Sequence, residues 1–190
     1  VQNSSLGISI SGVTDASGNL LLPGMPASTK KYNITVSKNN YFGATTYPPY
    51  PTTSYTPVDT HATVVANALN QVSIIMDLSV DIPLKTVDPF DQNIGSVQFN
   101  LSGGRILGSH PTTGVKTVTL NSINQTTNTN GEYAYTDQSY GEYLFSLGGS
   151  SSGSYELYKL LPETTAKNDT VDITPGNTGA IKPVLLNKGI

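Results

Sequence analysis

The strongest constraint on this chain is how briefly any apolar pattern lasts before a turn signal ends it. Tyr32, Ile34 and Val36 alternate with polar neighbours, the period of two that marks a half-buried strand. The segment Thr14-Asp15-Ala16-Ser17-Gly18-Asn19 and the corner Pro23-Gly24-Met25-Pro26 bracket the run Leu20-Leu21-Leu22. An Asp side chain bonds the backbone ahead of it and Gly accepts positive φ, so these are corners by composition. Residues 58–70 place Ala62, Val65, Ala66 and Leu69 at near-helical spacing, but they lack a strong cap and are rich in β-branched residues, so a strand is expected.

Solubility rests on hydroxyls and amides. Only 12% of the 190 residues are charged, and Ser, Thr and Asn outnumber them by more than two to one. Such a surface suits short strands joined by turns. A net charge of −3, with ten scattered Lys and Arg residues, disfavours nucleic acid as a partner. Cysteine is absent, which removes disulfides, thiolate nucleophiles and Cys-based zinc sites. No stretch reaches the roughly 18 apolar residues that cross a bilayer. The chain starts at Val1 with no signal-like segment and is expected to be a fragment or processed product.

The pattern runs through the chain twice. Gln71 to Leu78 sets Val72, Ile74 and Met76 against Ser73, Ile75 and Asp77, a strand closing a first unit. Ile82 to Val87 reads as the first strand of a second unit, followed by Val97 to Leu101 and Val115 to Leu120. The turn at Thr129-Asn130-Gly131-Glu132-Tyr133 matches Thr14 through Leu20. Gly141 to Leu147 matches the Tyr32 strand, and residues 180–187 match 71–78. A spacing of about 110 residues exceeds solenoid periods of roughly 20 to 50, so duplicated domains are expected at 1–80 and 81–190. A sandwich of about 100 residues fits each copy. The expected fold class is all-β: two tandem Greek-key β-sandwich domains, immunoglobulin-like or transthyretin-like.

Thr14-Asp15-x-x-Gly18-Asn19-Leu20, Leu22-Pro23-Gly24-Met25-Pro26 and Tyr32-x-Ile34-Thr35-Val36-Ser37-Lys38 with Tyr41 resemble carboxypeptidase regulatory-like domains of transthyretin-like topology. That resemblance implies a non-catalytic Greek-key sandwich. Thr46-Tyr47-Pro48-Pro49, His61-Ala62-Thr63-Val64, Gln71-Val72-Ser73-Ile74, Phe99 to Gly104 and Ile106-Leu107-Gly108 are similar to the ectodomains of prepilin-type proteins of uncultured small-genome bacteria, where such domains follow a pilin-like membrane helix. The resemblance implies an extracellular, cell-surface location. It also implies a strand ahead of Val1-Gln2-Asn3-Ser4-Ser5 that the first domain lacks, leaving an edge that another chain would fill by strand addition.

Candidate sites are few. Tyr41, Phe42, Tyr47, Tyr50 and Tyr55 lie in a Pro-rich excursion from 41 to 57, where rings either stack on sugars or anchor a protein interface, or fold back onto the sandwich. Lys85 and Asn187, with Glu142 as proton shuttle, form a candidate isopeptide by likeness to Cna-B-type sandwiches, although Glu142 precedes Tyr143 instead of following it at the family's spacing. Asp88, Asp91 and Asn93 before Gly95 offer oxygen ligands for calcium, but Asp and Asn are also ordinary turn formers. Gly149-Ser150-Ser151-Ser152-Gly153 matches the nucleophile elbow only formally, in a Gly/Ser run. His61 and His110 have no partner at ligand spacing. Sequons begin at Asn3, Asn33, Asn100, Asn124 and Asn168. No catalytic residue, metal or cofactor is expected. Partners are expected to be proteins, or further copies through an open strand edge, with glycans as the alternative.

Overall fold

The computed structural model describes residues 1–163, 167–175 and 180–189. The chain is all-β and antiparallel in nearly every pairing, and the described residues include one three-residue 3-10 turn and one four-residue helix. Its contacts define two units: Val1–Asn39, Gly43–Met76 and Leu107–Thr117 form the first, and Asn40–Phe42, Asp77–Ile106 and Val118–Ile190 the second.

The first unit is built from short pairs: β1 (Gln2–Asn3) with β2 (Ile8–Ser9), β3 (Ser28–Tyr32) with β7 (Ala62–Val64), and β4 (Thr35–Val36) with β5 (Ala44–Thr45). The expected Tyr32 strand is broken between β3 and β4. There Asn33 exchanges backbone bonds with Gln2, and the Ile34 N–H donates to Thr46 Oγ1. Residues 58–70 contain strand β7 and no helix. β6 (Thr56–Pro57) pairs with Ser109 and Gly108, which end the long strand β9 (Gln98–Ser109). Gly108 permits that approach, since a Cβ there would collide with the Thr56 carbonyl and the Tyr55 ring. Tyr32 is the large buried side chain of this unit, its hydroxyl donating to the Pro26 carbonyl at 2.7 Å.

One expectation fails here. Gln71 to Asp77 lies outside every described strand, and Leu78 makes only an isolated bridge to Tyr41. Val72 and Ile75 are exposed. Alternation supplies a strand with an apolar face, but a sheet needs a ladder of successive backbone pairs, and 71–77 is in none of the described ladders.

The second unit is a sandwich of two layers. One layer runs β10 (Lys116–Thr126), β9, β12 (Gly141–Leu147), β14 (Thr170–Ile173). The other joins β11 (Glu132–Gln138) to β8 (Val80–Lys85), and β15 (Lys182–Asn187) to β13 (Tyr155–Leu161). Parallel bridges Leu84 to Ile181 and Val87 to Val184 connect the two pairs. Residues 82–87, 97–101, 115–120, 141–147 and 180–187 thus fall in or beside strands β8, β9, β10, β12 and β15, as their alternation predicts. The core takes Ile82 and Leu84 from β8, Phe99 and Leu101 from β9, Tyr143 and Phe145 from β12, and Val171 and Ile173 from β14. Phe99 stacks on Phe145 at 5.6 Å between centroids and meets Tyr133 edge-on at 5.4 Å. Removing a ring of this kind costs about 3–5 kcal/mol.

A polar knot interrupts that core. Gly103 (φ 157) and Gly104 (φ 83) kink β9, and a Cβ at Gly103 would strike the Glu142 carbonyl. The buried Ser139 Oγ accepts from the Arg105 N–H at 2.8 Å and lies 2.7 Å from Thr119 Oγ1. Tyr143, fully buried, donates to the Ser139 carbonyl. Desolvation pushes its phenol up to about 12 against the lowering effect of the bond at Ser139.

Candidate interaction surfaces

Three turns share one construction. Asp15 Oδ1 accepts from the N–H groups of Ser17 and Asn19, both at 2.9 Å. Asn128 Oδ1 does the same for Asn130 and Glu132 at 2.9 Å, and Asp88 Oδ1 for Phe90 and Gln92 at 2.8 Å. In each, the first residue's N–H also reaches the carbonyl four residues on, and the fourth residue has positive φ: Gly18 at 82°, Gly131 at 78°, Asp91 at 62°. The turn expected at 129–133 is thus built like the one in 14–19, with its head at Asn128, one residue ahead of the expected range. The third copy escapes sequence reading because Asp91 stands where the others have Gly; the acidic or amide residue at its head was the available signal. Asp88 and Asp91 belong to this closed turn and Asn93 follows it, bridged to Val87: the Asp88 carboxylate is engaged by two backbone donors, and Asp91 Oδ1 pairs with Lys182 Nζ at 3.2 Å.

The structure divides the tyrosine excursion between the two units. Tyr41 and Phe42, half-buried, belong to the second, where Tyr41 bridges Leu78 and the Phe42 N–H donates to the Asp77 carbonyl. Tyr47, Tyr50 and Tyr55 belong to the first. There Tyr47 and Tyr55 meet at 6.0 Å in an edge-on contact, and desolvation, then the neighbouring Tyr47, pushes the Tyr55 phenol up. Tyr47 is fixed by backbone bonds to Asp59 and His61. Tyr50 remains exposed at 48%. Two rings have thus folded back onto each other, and in this unit only one faces solvent broadly.

The isopeptide candidates do not converge. The parallel bridges set Lys85 level with Lys182, so Asn187 lies five positions further along β15, about 16 Å away at strand rise. Asn187 Oδ1 accepts from the Gly189 N–H at 2.9 Å. Glu142 is exposed on β12, in the other layer, opposite Asp172. The register sets Lys85 and Asn187 apart along their strands.

The remaining motifs serve local structure. Ser151, at the centre of the formal nucleophile motif, is buried and its Oγ accepts from the Gln98 N–H at 2.8 Å, while Ser150 N–H donates to Gln98 Oε1. His110 Nδ1 accepts from Thr112 and Thr113 N–H at 3.2 Å. His61 is held below the usual imidazole range, first by desolvation and also by Lys31, with a bond to Thr46 opposing. Of the sequon asparagines, Asn3 is fully buried, whereas Asn124 and Asn168 are exposed. An open cleft of about 680 Å³ in the second unit is lined by Phe145, Leu147, Tyr155, Glu156, Asn168 and Lys188 among others. Among the described residues, no helix is long and apolar enough to cross a membrane. Neither a protein-family model nor a curated protein matches the chain.

Proposed function

We propose that this chain is a non-enzymatic extracellular module, structural or adhesive, forming the exposed part of a pilin-like filament or surface protein built from tandem carboxypeptidase regulatory-like sandwiches. The observation that carries the reading is a contrast between corresponding segments. In the second unit, residues 182–187 form β15, laddered with β13 and bridged in parallel to the β8 segment. In the first, residues 71–76, which set Val72, Ile74 and Met76 against Gln71, Ser73 and Ile75, belong to no described strand. A strand-competent segment with exposed Val72 suits strand addition between chains, where main-chain bonds supply affinity and alternate side chains supply specificity.

The chemistry of the side chains fits a scaffold. The hydroxyl of Ser151 and the carboxylate of Asp88 are engaged by backbone donors. Among the described residues no three His, Cys, Asp or Glu side chains are grouped for a metal. The glycan alternative draws less support, because Tyr47 and Tyr55 turn their rings to each other.

Electron microscopy of concentrated protein tests the reading. End-to-end particles longer than a dimer are expected, and Val72→Asp should abolish them by placing a charge on the added strand. Particles no larger than a dimer at about 1 mM, or elongated particles unaffected by Val72→Asp, would overturn it.

A further inference from the structure

Among the described residues the second unit has four strand edges, and three are defended. β14 is four residues long and carries Asp172. β11 carries Glu132 and Asp137, the latter at a register shift. β13 carries Glu156 and Lys159 and runs into Pro162. Short length, charge, proline and bulges are the devices that keep sheet edges from pairing with other chains.

β10 has almost none of them. It is eleven residues long, it ends its layer, and its one charge is Lys116 at the first position. From Thr117 to Thr126 there is neither a charged residue nor a proline. A single irregularity, Asn124 at φ 53, turns its N–H to Asn100 Oδ1 at 2.8 Å and limits the regular stretch to residues before it. Ile123, apolar and β-branched, is 62% exposed on this edge strand.

We infer that β10 is a self-association edge, pairing antiparallel with β10 of a second copy of this chain about a twofold axis at Asn121. Antiparallel self-pairing centred there sets Thr119 opposite Ile123 of the second copy, and symmetry repeats the contact. Cross-strand pairs between β-branched residues stabilise such ladders; the Thr119 hydroxyl stays on the Gly103 carbonyl and Ser139, leaving its methyl group to meet an Ile123 side chain that is otherwise in water. A foreign strand could satisfy the same backbone groups, but the uncharged stretch offers no complementary charge to select one. Between two copies that lack of charge leaves nothing to repel, with each Lys116 at the far end of the ladder. The isologous geometry closes at two chains. A ladder this short covers less than the roughly 800 Å² per partner of a standard interface, so the dimer is expected to be concentration-dependent, between about 10 μM and 1 mM.

The absence of cysteine from the chain makes the register testable. Residues facing each other across an antiparallel pair have Cα atoms about 4.5–5.5 Å apart, inside the disulfide range of roughly 4.4–6.8 Å. Asn121→Cys should form an intermolecular disulfide in air at least about tenfold faster than Ser154→Cys, an exposed position off the edge. Sedimentation of the unaltered chain should show the dimer, and Asn121→Lys, which sets two ammonium groups face to face, should remove it with the circular dichroism unchanged. Equal crosslinking rates, a monomer throughout the concentration range, or a dimer that survives Asn121→Lys would overturn the inference. The edge is separate from residues 71–76: a self-association lost in Val72→Asp but kept in Asn121→Lys speaks for strand addition by the first unit and against β10.

Discussion

At the scale of single residues, the second unit depends on polar groups placed where an apolar core would be simpler. Tyr143 shows the consequence. Its buried hydroxyl satisfies the Ser139 carbonyl, so Tyr143→Phe leaves that acceptor unpaired and should cost about 1–2 kcal/mol at neutral pH. The same phenol sets a pH dependence. It is protonated in both states below pH 10, the ordinary value; between there and about 12 the unfolded chain releases a proton that the folded one retains. Stability is therefore fully present below pH 10 and falls as pH rises toward 12. Denaturant titrations between neutral and alkaline pH should show a shallower alkaline loss in Tyr143→Phe. The Tyr135 and Tyr55 phenols, also raised by burial, leave a residual slope. An unchanged alkaline limb would mean that Tyr143 reaches solvent.

At the scale of elements, local chemistry is legible and pairing is not. The turns at 14–19 and 129–133 could be read because each is closed within five residues by one side chain, Asp15 and Asn128, and one residue of positive φ; that Asn128 heads the second lay one residue outside the expected range. The strands flanking them could be read from alternation. What could not be read is which edges meet and in what register. Lys85 and Asn187 sit on strand segments that are indeed bridged in parallel, yet the bridges place them five positions apart. Intact-mass measurement should accordingly give the unmodified mass, since a Lys–Asn crosslink expels ammonia; a mass short by one ammonia would show that these strands slide past the observed register. The tyrosine excursion has the same lesson. Its composition predicts exposed aromatic surface or cover for the sandwich, and the edge-on contact of Tyr47 with Tyr55 is a detail of packing that neither reading contains.

At the scale of the whole molecule, the two units differ in what holds them. The second has a contiguous cluster of buried side chains from both layers. In the first the buried apolar side chains are chiefly Tyr32 and Ala44, and its strands run two to five residues. Local opening free energy follows buried apolar contact, so amide hydrogen exchange should be slowest in β8, β9 residues 98–106 and β12, and faster by at least about tenfold in β1 through β7. Uniform protection would show that the first unit has a core of comparable strength. The unit boundaries also depart from a simple cut of the sequence, because residues 107–117 associate with the first unit and 40–42 with the second. Sequence alone determined the all-β class, the absence of thiol chemistry, and the recurrence of one turn, because alternation, composition and Asx closure act over a few residues. Only the tertiary structure decided that 71–76 is left out of the described sheets, that Lys85 misses Asn187, and that β10 is the undefended edge, because ladder partners and registers are fixed by residues distant in the chain.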